Sequence, residues 1–206
     1  MKDIANTPLV SIICSTYNHG LYISQCLDGF LMQKTNFPFE ILIHDDASTD
    51  NTPDIIREYE HNQPQVIRPI YQKENKYSKK EDIFAKYQCS RVRGKYIAIC
   101  EGDDYWIDPL KLQKQIDFLE NNPDYGMIYT TSKVYNQKEG KIEEDIIGRE
   151  FNGYIELLSG NCIPTLTTCI RSSLVMEYLK EVEPKSKNWL MGDYPMWLWI
   201  NYHYKI

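Results

Sequence analysis

The stretch Phe39-Glu40-Ile41-Leu42-Ile43-His44-Asp45-Asp46-Ala47-Ser48-Thr49-Asp50-Asn51-Thr52-Pro53-Asp54 contains, in order, an apolar run, an acidic turn and a helix start. The run has the length and aliphatic content of a buried strand. Thr52 is placed to cap the following helix, with Pro53 at its first position, where a fixed φ and a missing N–H cost nothing. That helix is expected to reach about His61. A buried strand passing through a polar turn into a helix is the repeating unit of a mainly parallel sheet covered on both faces.

The same unit recurs on either side. Residues 9–14 form a second apolar run, followed by a segment over 21–33 whose Ile23, Leu27, Phe30 and Leu31 share a helical face. Downstream, the pattern predicts a strand at 66–71, a helix at 79–91 and a strand at 95–100. Asp108 and Pro109 then start a helix striped by Leu112, Ile116 and Leu119 and stopped at Asn121-Asn122-Pro123. A strand over 125–134 follows. The charged segment 136–152 reads as a surface excursion. The last third predicts a short helix at 154–158, a strand at 166–170 and helices at 174–180 and 195–202.

At 206 residues and 42% hydrophobic content, the chain is expected to form one domain. A formal charge of -6 provides no basic field, which argues against a nucleic-acid partner. The six cysteines, Cys14, Cys26, Cys89, Cys100, Cys162 and Cys169, show no CxxC spacing and several fall within apolar runs. Reduced thiols and a cytoplasmic location are therefore expected. Residues 1–8 lack the apolar stretch of a signal peptide, and no run of about 18 apolar residues could span a membrane.

In a parallel α/β sheet, ligands bind at the carboxyl ends of the strands, and three polar motifs fall there. The first is Ser15-Thr16-Tyr17-Asn18-His19-Gly20, in which Tyr17 can stack on a planar base while Ser15 bonds its edge; an ordinary turn before the first helix is the alternative. The second contains Asp45 and Asp46. A carboxylate there can accept the imide proton of a uracil, and the alternative is a polar loop entering the helix. The third, Glu101-Gly102-Asp103-Asp104, puts three carboxylates within four residues, a hard oxygen set suited to Mg2+ or Mn2+ shared with phosphates. Gly102 is expected to allow an unusual backbone conformation there. His19, His44, His61 and His203 have no ligand spacing.

Taken together, Val10 to Asn18, Ile43 to Thr52 and Gly94 to Trp106 resemble, in the right order, the motifs of a family-2 glycosyltransferase of GT-A fold. The likeness is close over about 8–135 and looser beyond. It implies a GT-A type, Rossmann-like three-layer α/β/α sandwich with a nucleotide-sugar half over about 8–135 and an acceptor half over about 136–206. Because the sequence ends within an apparent helix, 197–206, native sequence is expected to continue past Ile206. It also implies an inverting transfer from a nucleotide sugar, most often a UDP-sugar, to a hydroxyl acceptor: a glycan, a lipid-linked saccharide or another alcohol in polysaccharide or glycoconjugate synthesis. Peripheral association with the inner face of the membrane fits this reading.

Mapped by motif, Ser15 and Tyr17 meet the base, Asp46 reads the uracil edge, Asp103 meets the ribose or donor sugar and Asp104 holds a Mn2+ or Mg2+ bridging the diphosphate. Thr16 and Asp45 belong to the same nucleotide-sugar set. The family more often carries Asp at Glu101 and Ala or Ser at Gly102, so the likeness assigns Glu101 no role. The general base is implied far downstream, where Met191-Gly192-Asp193-Tyr194-Pro195 offers Asp193, which is also placed as a helix cap. Lys76, Lys79, Lys86 and Arg91 are candidates for the diphosphate or plain surface charge. Trp189, Trp197 and Trp199 are an acceptor-sugar platform, a membrane-facing patch or packed cover. The competing readings are a sugar nucleotidyltransferase, a catalytically idle nucleotide-sugar-binding domain and a phospho-receiver module.

Overall fold

The computed structural model describes residues 7–187, 189 and 191–206. Residues 1–6, on which the signal-peptide reading falls, lie outside them. The chain runs through β1 (Val10–Thr16), α1 (Ile23–Leu31), β2 (Phe39–Asp45), α2 (Thr52–Asn62), β3 (Ile67–Tyr71), β4 (Tyr96–Ile99), α3 (Lys111–Asn121), β5 (Met127–Ile128), β6 (Ser132–Asn136), β7 (Lys141–Ile147), α4 (Tyr154–Ser159), β8 (Cys169–Arg171), α5 (Ser172–Val182) and α6 (Tyr194–His203). Six strands form one sheet in the order β3-β2-β1-β4-β8-β5, and β6 and β7 make a separate hairpin.

The pairings β1 with β2, β1 with β4 and β2 with β3 are parallel, whereas β8 lies antiparallel to both β4 and β5. Because strand side chains alternate, the central strand feeds two cores. Val10, Ile12 and Cys14 pack with Ile23, Leu27, Phe30, Ile56, Leu112 and Ile116 on one face. On the other, Ile13, Ile97 and Ile99 meet Leu174, Val175, Tyr178, Trp197 and Ile200. The result is the expected three-layer sandwich.

Several elements differ from the sequence expectation. The apolar stretch 125–134 is not one strand: it gives β5, breaks, and enters the hairpin at β6, so the expected surface excursion is largely an ordered β-ribbon. The helix expected over 79–91 shrinks to a π turn at Phe84–Gln88 and a 3-10 turn at Cys89–Arg91. Residues 166–170 divide between a 3-10 turn at Thr165–Thr167 and β8. Thr52 is not the cap of α2 but its first residue. The Asp50 carboxylate supplies the capping acceptor, taking the Thr52 amide at 2.9 Å and hydroxyl at 2.6 Å. Of the tryptophans, Trp197 is fully buried, Trp199 is half-buried against Tyr178, and Trp189 is exposed.

Two buried charges fix the scaffold. Glu40, on β2 opposite Ser11 of β1, accepts the Ser11 hydroxyl at 2.7 Å and the Arg93 guanidinium at 2.9 and 2.6 Å. It thereby ties the turn before β4 to the first two strands. Glu40→Ala removes the acceptor of the Ser11 hydroxyl and of the half-exposed Arg93 and is expected to cost about 1–2 kcal/mol in urea unfolding, against a smaller loss for Glu40→Gln.

Lys111, at the start of α3, is buried with its ammonium 4.1 Å from the Trp106 ring centre and 2.8 Å from Gln115 Oε1. Burial pushes it down to about 8 from an ordinary 10.5. Between those values the unfolded chain holds a proton that the folded one releases, so stability rises with pH across that window. Lys111→Met is expected to flatten the rise and to gain about 2 kcal/mol at pH 7, after allowing for the lost Gln115 bond. Thermal unfolding of both proteins from pH 7 to 10.5 checks this.

Candidate active site

Because β1, β2 and β4 run parallel, their carboxyl ends open on one edge of the sheet. Thr16 stands opposite Asp45 in the register. The ladder continues past the strands: the Asp46 amide donates to the Thr16 carbonyl at 3.0 Å and the Gly102 amide to the Ser15 carbonyl at 3.0 Å. The three polar motifs therefore converge, although they lie far apart in sequence.

Tyr17 is exposed and Ser15 half-buried, both at the rim of this edge. Ser15 Oγ lies 3.4 Å from the buried Gln88 amide, which also donates to the Cys14 carbonyl at 2.8 Å. Thr16 is buried, and its hydroxyl has no hydrogen-bond partner among the described residues. Asp45 is buried and folded back on its own turn, accepting the Ser48 hydroxyl and amide; burial raises its carboxyl above the ordinary range. Asp46 is buried too, and its two oxygens accept the Lys76 amide at 2.7 Å and the Tyr77 amide at 2.9 Å. It thus anchors the segment after β3 against the site. Each oxygen keeps a lone pair beyond the one engaged.

The third motif turns tightly, with the Asp104 amide donating to the Glu101 carbonyl at 3.1 Å. Asp103 is exposed, and Asp104 and Glu101 are half-buried. Gly102 does not adopt a positive φ, contrary to the expected unusual conformation. A glycine is required there for space: a Cβ would lie 2.8 Å from Thr16 Oγ1 and 3.0 Å from His19 Nδ1.

Burial, then the Asp104, Asp103 and Asp193 charges, push Glu101 up to about 7; burial and Asp103 also raise Asp104. The Asp193 charge, far away in sequence, is the smallest of these effects on Glu101. Asp193 caps α6, accepting the Tyr194 amide at 2.7 Å through Oδ1 and the Thr165 hydroxyl through Oδ2. The cap expected of Asp193 is therefore formed.

Such a cluster of repelling carboxylates is the donor set that a hard divalent cation relieves. Among the described residues, no three carboxylate, thiol or imidazole groups converge to cage a metal unaided. The residues thus fit a cation whose remaining ligands are phosphate and water, as Mg2+ usually requires.

The basic residues are mostly engaged elsewhere. Arg91 donates to the Ile43 and Arg68 carbonyls, Lys86 pairs with Glu81 and Lys79 with Glu74. Lys76 lies 3.5 Å from Glu81. Sequence reasoning missed the lacing of the first two loops. Asn18, at φ 55, donates its amide to Ser48 Oγ at 2.8 Å and accepts the Thr49 amide at 2.8 Å, while the Gly20 amide donates to Asp50 at 2.9 Å. An Asn before His-Gly, opposite a Ser-Thr-Asp turn, was the available signal.

The family model described as glycosyl transferase family 2 matches residues 11–178. Over 137 residues the chain is 43% identical to the uncharacterized protein Rv1520 of Mycobacterium tuberculosis, covering 66% of this chain and 38% of that protein. It is 30% identical over 163 residues to the putative teichuronic acid biosynthesis glycosyltransferase TuaG of Bacillus subtilis, covering 79% and 62%. The chain therefore spans less than two thirds of these relatives' length.

Among solved structures, TarS 1-349 of S. aureus in complex with UDP-GlcNAc superposes with a TM-score of 0.62 at 21% identity, over 85% of this chain and 47% of that one. The mannosyltransferase PcManGT of Pyrobaculum calidifontis, in complex with GDP-Man and Mn2+, gives 0.58 at 20% identity, over 82% and 46%. At such identities the superpositions establish the fold, GT-A. With the family model matching most of its length and its motifs gathered at one sheet edge, the chain belongs to glycosyltransferase family 2.

Proposed function

We propose that this chain is the catalytic domain of an inverting glycosyltransferase that moves a sugar from a nucleotide sugar to a hydroxyl acceptor in polysaccharide or glycoconjugate synthesis. The observation carrying this is the meeting of the three polar strand-end motifs at one edge of the sheet, in a chain that belongs to glycosyltransferase family 2.

The donor's base is read as stacking on Tyr17, with Ser15 and Thr16 at its edge and Asp46 accepting a ring N–H. Asp45 holds the turn that carries Asp46. Two backbone amides already fix the Asp46 carboxylate, so accepting a further proton requires little rearrangement. Uracil N3–H satisfies this contact, which favours a UDP-sugar; guanine N1–H offers the same chemistry.

Asp103 is assigned to the ribose or donor sugar. Asp104 is the residue that would hold Mn2+ or Mg2+, and a bound cation would neutralise the diphosphate leaving group. Asp193 is assigned as general base. It already accepts a hydroxyl, that of Thr165, which is the kind of contact a base makes with an acceptor alcohol. Among the described residues, no helix is long and apolar enough to cross a membrane. A cytoplasmic or peripheral membrane location, with a glycan or lipid-linked acceptor, is part of this proposal.

Calorimetry with UDP and GDP, each with and without Mn2+, tests the donor assignment. UDP is expected to bind more tightly than GDP, with chelation by EDTA weakening it, and Asp104→Asn is expected to remove the Mn2+ enhancement, a loss of about tenfold or more. Binding of neither nucleotide would sink the reading.

Asp193→Asn should keep donor affinity while reducing transfer, or donor hydrolysis if no acceptor is known, by about 10²- to 10⁴-fold, the usual range for removal of a general base. Unchanged turnover would remove Asp193 from the chemistry. Pyrophosphate release from UTP and a sugar phosphate would instead favour the nucleotidyltransferase.

A further inference from the structure

One side chain at the site has no role in the reading above. His19 follows the left-handed Asn18, and its carbonyl accepts the Tyr22 and Ile23 amides, each at 2.8 Å. The backbone there is thus held by the entry to α1. The imidazole has its edge toward the Tyr22 ring, with centres 6.3 Å apart and planes at 66°.

Its two nitrogens face different surroundings. Nδ1 is buried without a hydrogen-bond partner among the described residues, as is Thr16 Oγ1, and both border the space that the missing Gly102 side chain leaves open. Nε2 points to the site, 3.8 Å from Asp103 Oδ2. That is ion-pair range and longer than a hydrogen bond. Asp103 is itself half-exposed, with 51% of its side chain open to solvent, and His19 is the one basic group within 4.0 Å of it among the described residues.

We propose that His19 is a positioning residue for the donor: its imidazole, seated in the hollow over Gly102, holds the Asp103 carboxylate in the orientation that receives a hydroxyl of the ribose or donor sugar. The proposal rests on the assignment of Asp103 to the donor. A half-exposed carboxylate otherwise samples several rotamers, and donor binding must then supply the ordering cost. His19 removes part of that cost in advance. Gly102 contributes by leaving out the Cβ that would expel the ring.

Three variants separate positioning from mere packing. His19→Gln keeps an amide near the place of Nε2, His19→Asn keeps one near the place of Nδ1, and His19→Ala keeps neither. With UDP-GlcNAc and Mn2+ as the probe, His19→Ala is expected to weaken binding about tenfold, the scale of one hydrogen bond to a charged group. His19→Gln should recover most of the loss and His19→Asn little. Thermal unfolding without ligand should differ little among the three.

Equal rescue by both amides, or wild-type affinity in all three, would overturn the proposal. A ligand-free measurement keeps the two readings distinguishable. In protein labelled at aspartate carboxyl carbons, the Asp103 resonance should move in His19→Ala and stay near its wild-type place in His19→Gln. If the wild-type protein binds neither UDP nor UDP-GlcNAc, the assignment of the site falls and the role toward a donor falls with it. If the nucleotides bind and the Asp103 resonance is indifferent to His19, only the positioning role fails.

Discussion

The parallel pairing of β1 with both β2 and β4 is the constraint on which the rest depends. It puts three carboxyl strand ends on one edge, and with them a set of carboxylates that repel one another. The folded chain tolerates that repulsion because the backbone ladders extend into the loops, through Asp46 to Thr16 and Gly102 to Ser15. Burial first, and the neighbouring carboxylates second, raise the carboxyl groups of Glu101 and Asp104. A site that is electrostatically uncomfortable when empty is suited to a cation and to a hydroxyl-rich ligand.

Acidic residues near this edge divide their work. Asp45 and Asp50 are consumed by the backbone, one closing the turn after β2, the other capping α2 and holding the Gly20 amide. Asp46 joins the segment after β3 to the site through two amides. Asp103 and Asp104 keep more of their capacity for external partners. Local sequence cannot separate these cases, since Asp45 and Asp46 are adjacent and chemically identical; strand alternation and loop contacts separate them.

Much of the fold was legible because its signals are local. The apolar runs of β1, β2 and β4, Pro53 at the start of α2, and the Leu112-Ile116-Leu119 stripe each encode an element within a dozen or so residues. The misreadings fall where tertiary packing overrides pattern. The stretch 125–134 looks continuous, yet β5 must pair with β8 while β6 pairs with β7, so the strand is cut. At 79–91 the Glu81 contacts with Lys76, Lys86 and Tyr87 and the Gln88 bond to Cys14 hold irregular turns in place of a helix. Gly102 was read as conformational freedom, whereas it stands where a side chain would crowd Thr16 and His19, which only the fold brings there.

By itself the sequence determined the α/β architecture, the strand-end placement of the acidic motifs and the family, because these follow from periodicity and from short motifs read in order. Only the tertiary structure decided which carboxylates share a field. The burial of Glu101 beside Asp104 and the approach of His19 to Asp103 depend on how the loops and the entry to α1 pack around the sheet edge. The physical reason is range. Propensity and capping act over a few residues along the chain, whereas charge acts across space, and the folded chain sets those distances.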